Sequence, residues 1–240
     1  MKEKKRNKLK ITLISILAFL VVLIGGFYIY TIYYYSADST AVTALAATDL
    51  TIKTQGNDII FYPKKDKDLN TALIFYPGGK VEDTAYAPLL SQLAREGLTC
   101  VVVKMPFNLA VFSINAADQV YALLPEIKHW YIGGHSLGGV MASSYVWKNS
   151  TKLSGLVLLG AYPINSSSLP TLVVYGSEDK NLDKSKLAGV KNVVEIMGGN
   201  HANVGNYGVQ FGDGKATITR EDQQAQTVTA IMNFINDKTK

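Results

Sequence analysis

Ser136 stands between two pairs of glycines in the stretch Gly133-Gly134-His135-Ser136-Leu137-Gly138-Gly139, a setting in which a hydroxyl could act as a nucleophile. A serine hydroxyl attacks a carbonyl poorly until a base removes its proton, so a histidine must reach it. The chain has three histidines, His129, His135 and His201. A working imidazole needs, in turn, a carboxylate that fixes its tautomer and stabilises its positive form. Other chemistries lack their parts. There is no His-Glu-x-x-His pair, no Cys/His cluster and no phosphate loop, so neither a metal nor an organic cofactor is expected. Cys100 is the only cysteine, which rules out an intrachain disulfide, and its flanks make it a buried strand residue.

The elements around Ser136 give the motif its meaning. The run His129 to Gly134 reads as a strand and Val140 to Lys148 as a helix, with Ser136 at the pivot. A sharp strand-to-helix turn strains its central residue and brings backbone and helix so close that only residues without a side chain fit beside it. Gly134 and Gly138 supply that room, which makes a G-x-S-x-G nucleophile elbow in its proper context. The rival reading, a glycine-rich nucleotide-binding turn, lacks a G-x-G-x-x-G pattern.

On these residues the chain resembles the α/β-hydrolase superfamily from about residue 50 to 237, and most of all its small lidless members related to dienelactone hydrolase. His201, in a loop after the last strand, lies where that family keeps its catalytic histidine. Elimination agrees: His129 lies at the far end of the sheet, and His135 is locked in the elbow with its side chain expected to point away. The resemblance makes Asp179, in Gly176-Ser177-Glu178-Asp179, the acid, with Glu178 its nearest rival and no acid between Leu156 and Leu169. The order Ser136, Asp179, His201 is the one such hydrolases use. The resemblance also places one oxyanion donor on the Leu137 N–H and the other in the loop after the third strand, through Gly79 or Lys80. Here Pro77-Gly78 replaces the family's frequent His-Gly pair.

The remaining chain must position these groups. "DIIFYP", "TALIFYP", "LTCVVVK", "LSGLVLLG", "TLVVYG" and "NVVEIM" read as further strands, buried and rich in β-branched residues. Tyr86, Leu89, Leu90 and Leu93 fall at helical spacing, as do Ala117, Val120, Tyr121 and Leu124. Thr219 and Asp222 form a capping-box pattern before a C-terminal helix. Such alternation implies an α/β fold: a doubly wound, mostly parallel sheet whose chemistry gathers at the carboxyl ends of its strands. Only Pro163 to Pro170 separates two of the strands, too little for a cap domain. The walls of the site must then come from Met105 to Phe112 and Asn206 to Gly214, with Asn108 and Tyr207 as candidate substrate contacts.

Charge is concentrated at one end. Residues 1–10 carry six basic residues and one acid, which accounts for the whole formal +5 and leaves the rest balanced. A nucleic-acid partner is therefore not expected. Ile11 to Tyr35 is uncharged and ends in tyrosines, as suits a transmembrane anchor with its basic end in the cytoplasm and the domain on the extracytoplasmic side. Ala44-Leu45-Ala46 leaves open cleavage as a signal peptide near Ala46, although the apolar stretch exceeds the usual length of roughly 7–15 residues. The expected organisation is a basic segment at 1–10, an anchor at 11–35, a small, polar tether at 36–47 and the hydrolase domain at 48–240.

The function expected is cleavage of a small-molecule carboxylic ester, or a thioester or amide, by a membrane-anchored serine hydrolase. A catalytically silent binding domain of the cell envelope is the alternative, since a fold alone never proves activity.

Overall fold

The computed structural model describes residues 2–238 and divides at the Tyr34–Tyr35 bond into two compact units. Met1, from the expected basic segment, and residues 239–240, from the end of the expected hydrolase domain, lie outside the described residues. The first unit holds helix α1 (Lys2–Ile32), in which Arg6–Ile32 has a mean hydropathy of 2.5 and is long and apolar enough to cross a membrane.

The second unit begins earlier than the expected boundary at residue 48. Residues 36–47 are not a free tether: they carry the short helix α2 (Ser39–Ala44), and Ala41 on it is fully buried. Asp38 caps α2 through a bond from the Ala41 N–H at 3.0 Å, donates its own N–H to the Asn206 carbonyl at 2.8 Å, and pairs with Arg220 at 3.1 Å. The small residues that look like linker composition serve here for close packing, and the aspartate serves as a helix cap.

β1 (Thr51–Gln55) and β2 (Asp58–Tyr62) form an antiparallel hairpin. β3 (Thr71–Tyr76) leads through α3 (Ala87–Arg95) to β4 (Thr99–Val102), and α4 (Ala117–Leu123) leads to β5 (His129–His135). α5 (Leu137–Asn149) follows, then β6 (Gly155–Leu159), β7 (Thr171–Gly176), β8 (Asn192–Ile196) and α6 (Arg220–Lys238). The eight strands are ordered β1-β2-β4-β3-β5-β6-β7-β8, parallel from β4 onward and antiparallel at β1 and β2.

Alternation along β3 shows how the sheet is covered. Leu73 and Phe75 face the core shared with α3 and α6, while Ala72, Ile74 and Tyr76 face the one shared with α4 and α5. Helices on both faces explain why the central strands are apolar throughout. β8 departs from the expectation of a buried strand: as the edge of the sheet it leaves Val193 and Val194 partly exposed. The Thr219 hydroxyl accepts the Asp222 N–H at 3.0 Å, starting α6 as the capping pattern implies. The β6–β7 connection is a short excursion with no helix in it.

Candidate active site

The turn between β5 and α5 is as tight as its glycines demand. Ser136 adopts φ 52° and ψ −124°, a left-handed conformation that costs a non-glycine residue about 1–3 kcal/mol. It is held there by its N–H on the Leu159 carbonyl at 2.9 Å and by its own carbonyl on the Val140 N–H at 3.1 Å. A β-carbon at Gly138 would stand 2.2 Å from the Tyr76 and Pro77 carbonyl oxygens, and one at Gly134 would stand 2.5 Å from the Tyr76 oxygen. The turn therefore presses directly on the end of β3.

Beyond β3 lies the loop expected to hold an oxyanion. Gly79 packs on Leu137 so closely that a β-carbon would meet its Cδ2 at 2.9 Å. Leu137 opens α5, where the helix dipole favours negative charge. Of the two candidate loop donors, Lys80 has its N–H engaged with the Asn108 carbonyl at 2.7 Å. The Gly79 and Leu137 N–H groups have no protein partner among the described residues. Gly78 is occupied too, donating to the Tyr86 hydroxyl at 2.9 Å.

His201 and Asp179 are brought together from separate loops. His201 Nδ1 lies 2.8 Å from Asp179 Oδ2, with both side chains about 1% exposed. The other Asp179 oxygen accepts the Asn181 and Leu182 N–H groups, each at 2.9 Å, so the carboxylate is fixed in orientation. Glu178 does not take this place: its carboxylate accepts the Ser177 hydroxyl at 3.0 Å. His201 Nε2 is buried without a hydrogen-bond partner, so no bond joins it to the Ser136 hydroxyl in this state. Catalytic bonds often tighten only when substrate binds. His129, at the start of β5 and exposed, lies at the other end of the strand.

Three positioning residues escaped the sequence reading. Asp213 accepts the His201 N–H at 3.2 Å and the Ala202 N–H at 2.8 Å. Gln223 clamps the preceding residue, accepting the Asn200 N–H at 2.9 Å and donating to its carbonyl at 2.7 Å. Gly160, at φ 52° beyond β6, leaves space for the histidine–aspartate pair. A glycine directly after an apolar strand run was the available signal for the last; the other two depend on contacts between distant segments.

His135 was expected to point away from the site, and this is corrected. Its ring is fully buried and packs on His201 with centroids 4.5 Å apart. Tyr86 accepts the Gly78 N–H and lies 2.9 Å from His135 Nδ1, so its own proton goes to that nitrogen, which must be bare. Burial, then the neighbouring His201, hold the His135 imidazole well below its ordinary pKa and therefore neutral. Asn108 has φ 55° and enters the site's framework through its backbone carbonyl on Lys80. Tyr207 is buried, its ring tilted at 51° against that of Tyr35 with centroids 5.7 Å apart, and its hydroxyl donates to Gln210 at 3.0 Å.

A strained serine, a buried histidine–aspartate pair with a free ring nitrogen and two unengaged amides can together support acyl transfer. No group of metal-binding side chains occurs among the described residues. A family model described as the alpha/beta hydrolase family matches residues 72–225. No curated protein sequence matches the chain. Among solved structures, Est1E from Butyrivibrio proteoclasticus superposes with a TM-score of 0.54 at 13% identity, covering 79% of this chain and 100% of its own. A membrane phospholipase A described as a novel bacterial virulence factor gives 0.56 at 12% identity, covering 96% and 99%. An alpha/beta hydrolase enzyme from the metagenome of lagoon sediments at Mar Chica, Morocco, gives 0.59 at 10% identity, covering 79% and 100%. At these identities the likeness is one of fold.

Proposed function

The chain belongs to the alpha/beta hydrolase family, and on that premise we propose that it is a membrane-anchored serine hydrolase that cleaves carboxylic esters outside the cytoplasm. The observation that carries this reading is the 2.8 Å contact of buried His201 with Asp179, with Nε2 left without a hydrogen-bond partner and the ring 4.5 Å from that of His135, the residue before Ser136. Ser136 attacks the ester carbonyl while His201 takes its proton. The N–H groups of Leu137 and Gly79 hold the oxyanion, each such donor contributing about 2.7–4 kcal/mol in a well-formed site. His201 returns the proton to the leaving alcohol, then activates the water that hydrolyses the acyl-enzyme. Asp179 keeps His201 in the required tautomer throughout. Thioesters and amides would use the same parts.

Two features support the location. The basic residues of 1–10 precede an apolar helix, the pattern of an N-terminus retained in the cytoplasm. Cleavage near Ala46 would also sever Asp38 and Ala41 from the unit they pack in, which favours retention of the anchor over its loss as a signal. Similarity to a membrane phospholipase A fits an ester substrate at a membrane.

The test is a pair of single substitutions and their double. Ser136→Ala and His201→Ala should each abolish nearly all ester turnover, and the double mutant should be no slower than either, because the two act as one unit. Additive losses would contradict a shared mechanism.

A further inference from the structure

Large apolar side chains are exposed on two loops that are each bonded to the Tyr35–Lys80 pair. Val209 is 90% exposed and Phe211 94%, on the loop between His201 and α6; Phe107 and Phe112 are each 53% exposed, on the loop after β4. Residues this apolar are rarely left in water in clusters without a use.

Tyr35 ties the Phe211 loop to the oxyanion segment, and Lys80 in that segment ties the Phe107 loop. Its N–H donates to the Lys80 carbonyl at 2.7 Å, and its carbonyl accepts the Glu82 N–H at 3.0 Å. Its hydroxyl accepts the Phe211 N–H at 3.2 Å, and its ring lies on Tyr207. Lys80 in turn donates to the Asn108 carbonyl, next to Phe107, whose ring meets Phe112 edge-on at 5.8 Å. Tyr35 is also the third residue past Ile32, where α1 ends. At about 3.5 Å per extended residue, the chain cannot carry Tyr35 more than roughly 10 Å from the end of that helix.

We propose that the Val209–Phe211 and Phe107–Phe112 loops enter the surface of the same bilayer that holds α1, and that the substrate is an ester borne by a bilayer lipid. The proposal rests on α1 being a retained anchor and on the hydrolase reading above. Exposed aromatic and aliphatic side chains are stabilised when they enter the headgroup–acyl boundary of such an interface. A lipid's ester carbonyl lies at that depth while its acyl chain remains among the hydrocarbon tails, so no lid is needed to shelter the chain. The reaction is balanced by water alone. The ester carbonyl bonds to Ser136 Oγ as the carbon–oxygen bond to the lipid alcohol breaks, His201 passes the serine proton to that alcohol, and water then releases the fatty acid.

The full-length protein, reconstituted in phosphatidylcholine–phosphatidylglycerol vesicles, gives the test. Cys100 is fully buried, so a thiol-reactive, polarity-sensitive dye can be placed at Phe211→Cys or, as a control, at Trp147→Cys near the opposite end of α5. The dye at 211 should shift to the blue and be quenched by spin-labelled lipid; the dye at 147 should do neither. Equal, water-like behaviour at both sites would overturn the proposal. Separately, a Val209→Ser, Phe211→Ser variant should cleave a fluorogenic ester lipid in the vesicles about tenfold more slowly, through lost apolar contact with the bilayer. The ratio of its turnover of the vesicle lipid to its turnover of water-borne p-nitrophenyl acetate should fall by about tenfold relative to the parent. An equal fall with both substrates, or with neither, would overturn lipid delivery through these loops. If the parent fails on p-nitrophenyl acetate itself, the hydrolase reading fails, and the dye measurement still decides the surface.

Discussion

Gly160 lies so close to His201 that a β-carbon there would stand 2.9 Å from its Nδ1 and 3.1 Å from Asp179 Oδ2. The chain passes the pair at φ 52°, a conformation glycine adopts freely and alanine only at about 1–2 kcal/mol. The Ser136 N–H is bonded to Leu159, the residue before, so the same strand end fixes Ser136 and the His201–Asp179 pair together. Gly160→Ala should therefore displace the pair without unfolding the domain. We expect kcat to fall by about 10²-fold, as for a misplacement near 1 Å, with Tm lowered by roughly 2–8 °C. Near-parental kcat would show that the pair is not held by this contact.

His135 gives the protein an acid-side weakness. The folded state keeps it neutral through burial and His201, while in the unfolded chain it takes a proton near pH 6.5. Below that pH the unfolded state binds more protons, so this stability is present above about pH 6.5 and is lost as pH falls, by up to about 1.4 kcal/mol per unit. His135→Asn keeps an acceptor for Tyr86 but cannot titrate. Urea midpoints measured from pH 7 down to pH 5 should fall less steeply for this variant than for the parent. Parallel curves would mean that His135 is charged in the fold.

Where the chain is cut should matter more than whether it is cut. A domain starting at Tyr35 keeps the bonds to Lys80 and Glu82, the Asp38 cap and buried Ala41; one starting at Thr48 loses them all. We expect the longer form to be soluble and active on water-borne esters. The shorter one should melt lower and turn over about tenfold more slowly, since its oxyanion loop is released. Equal activity of the two would restore the simple tether between anchor and domain.

The sheet and the elbow were legible because their signals are local. The short apolar run Thr71 to Tyr76 and the glycines beside Ser136 are signals carried by neighbours in sequence. The roles of 36–47 and of His135 were not, because each depends on contacts far along the chain: Asp38 with Arg220, His135 with Tyr86 and His201. Composition suggests flexibility for a run of alanine, serine and threonine, yet the same small residues allow close packing once an opposing surface exists. Lys80 shows the same limit, since only the fold shows its N–H turned to Asn108 rather than to the site.

The central claim is that Ser136 is an activated nucleophile, and covalent labelling tests it most directly. A fluorophosphonate probe added to the full-length protein should modify Ser136, found by peptide mass, and labelling should be lost in both Ser136→Ala and His201→Ala. Absence of labelling in the folded parent protein, or equal labelling of His201→Ala, would contradict the account and leave the fold as a binding domain without catalysis.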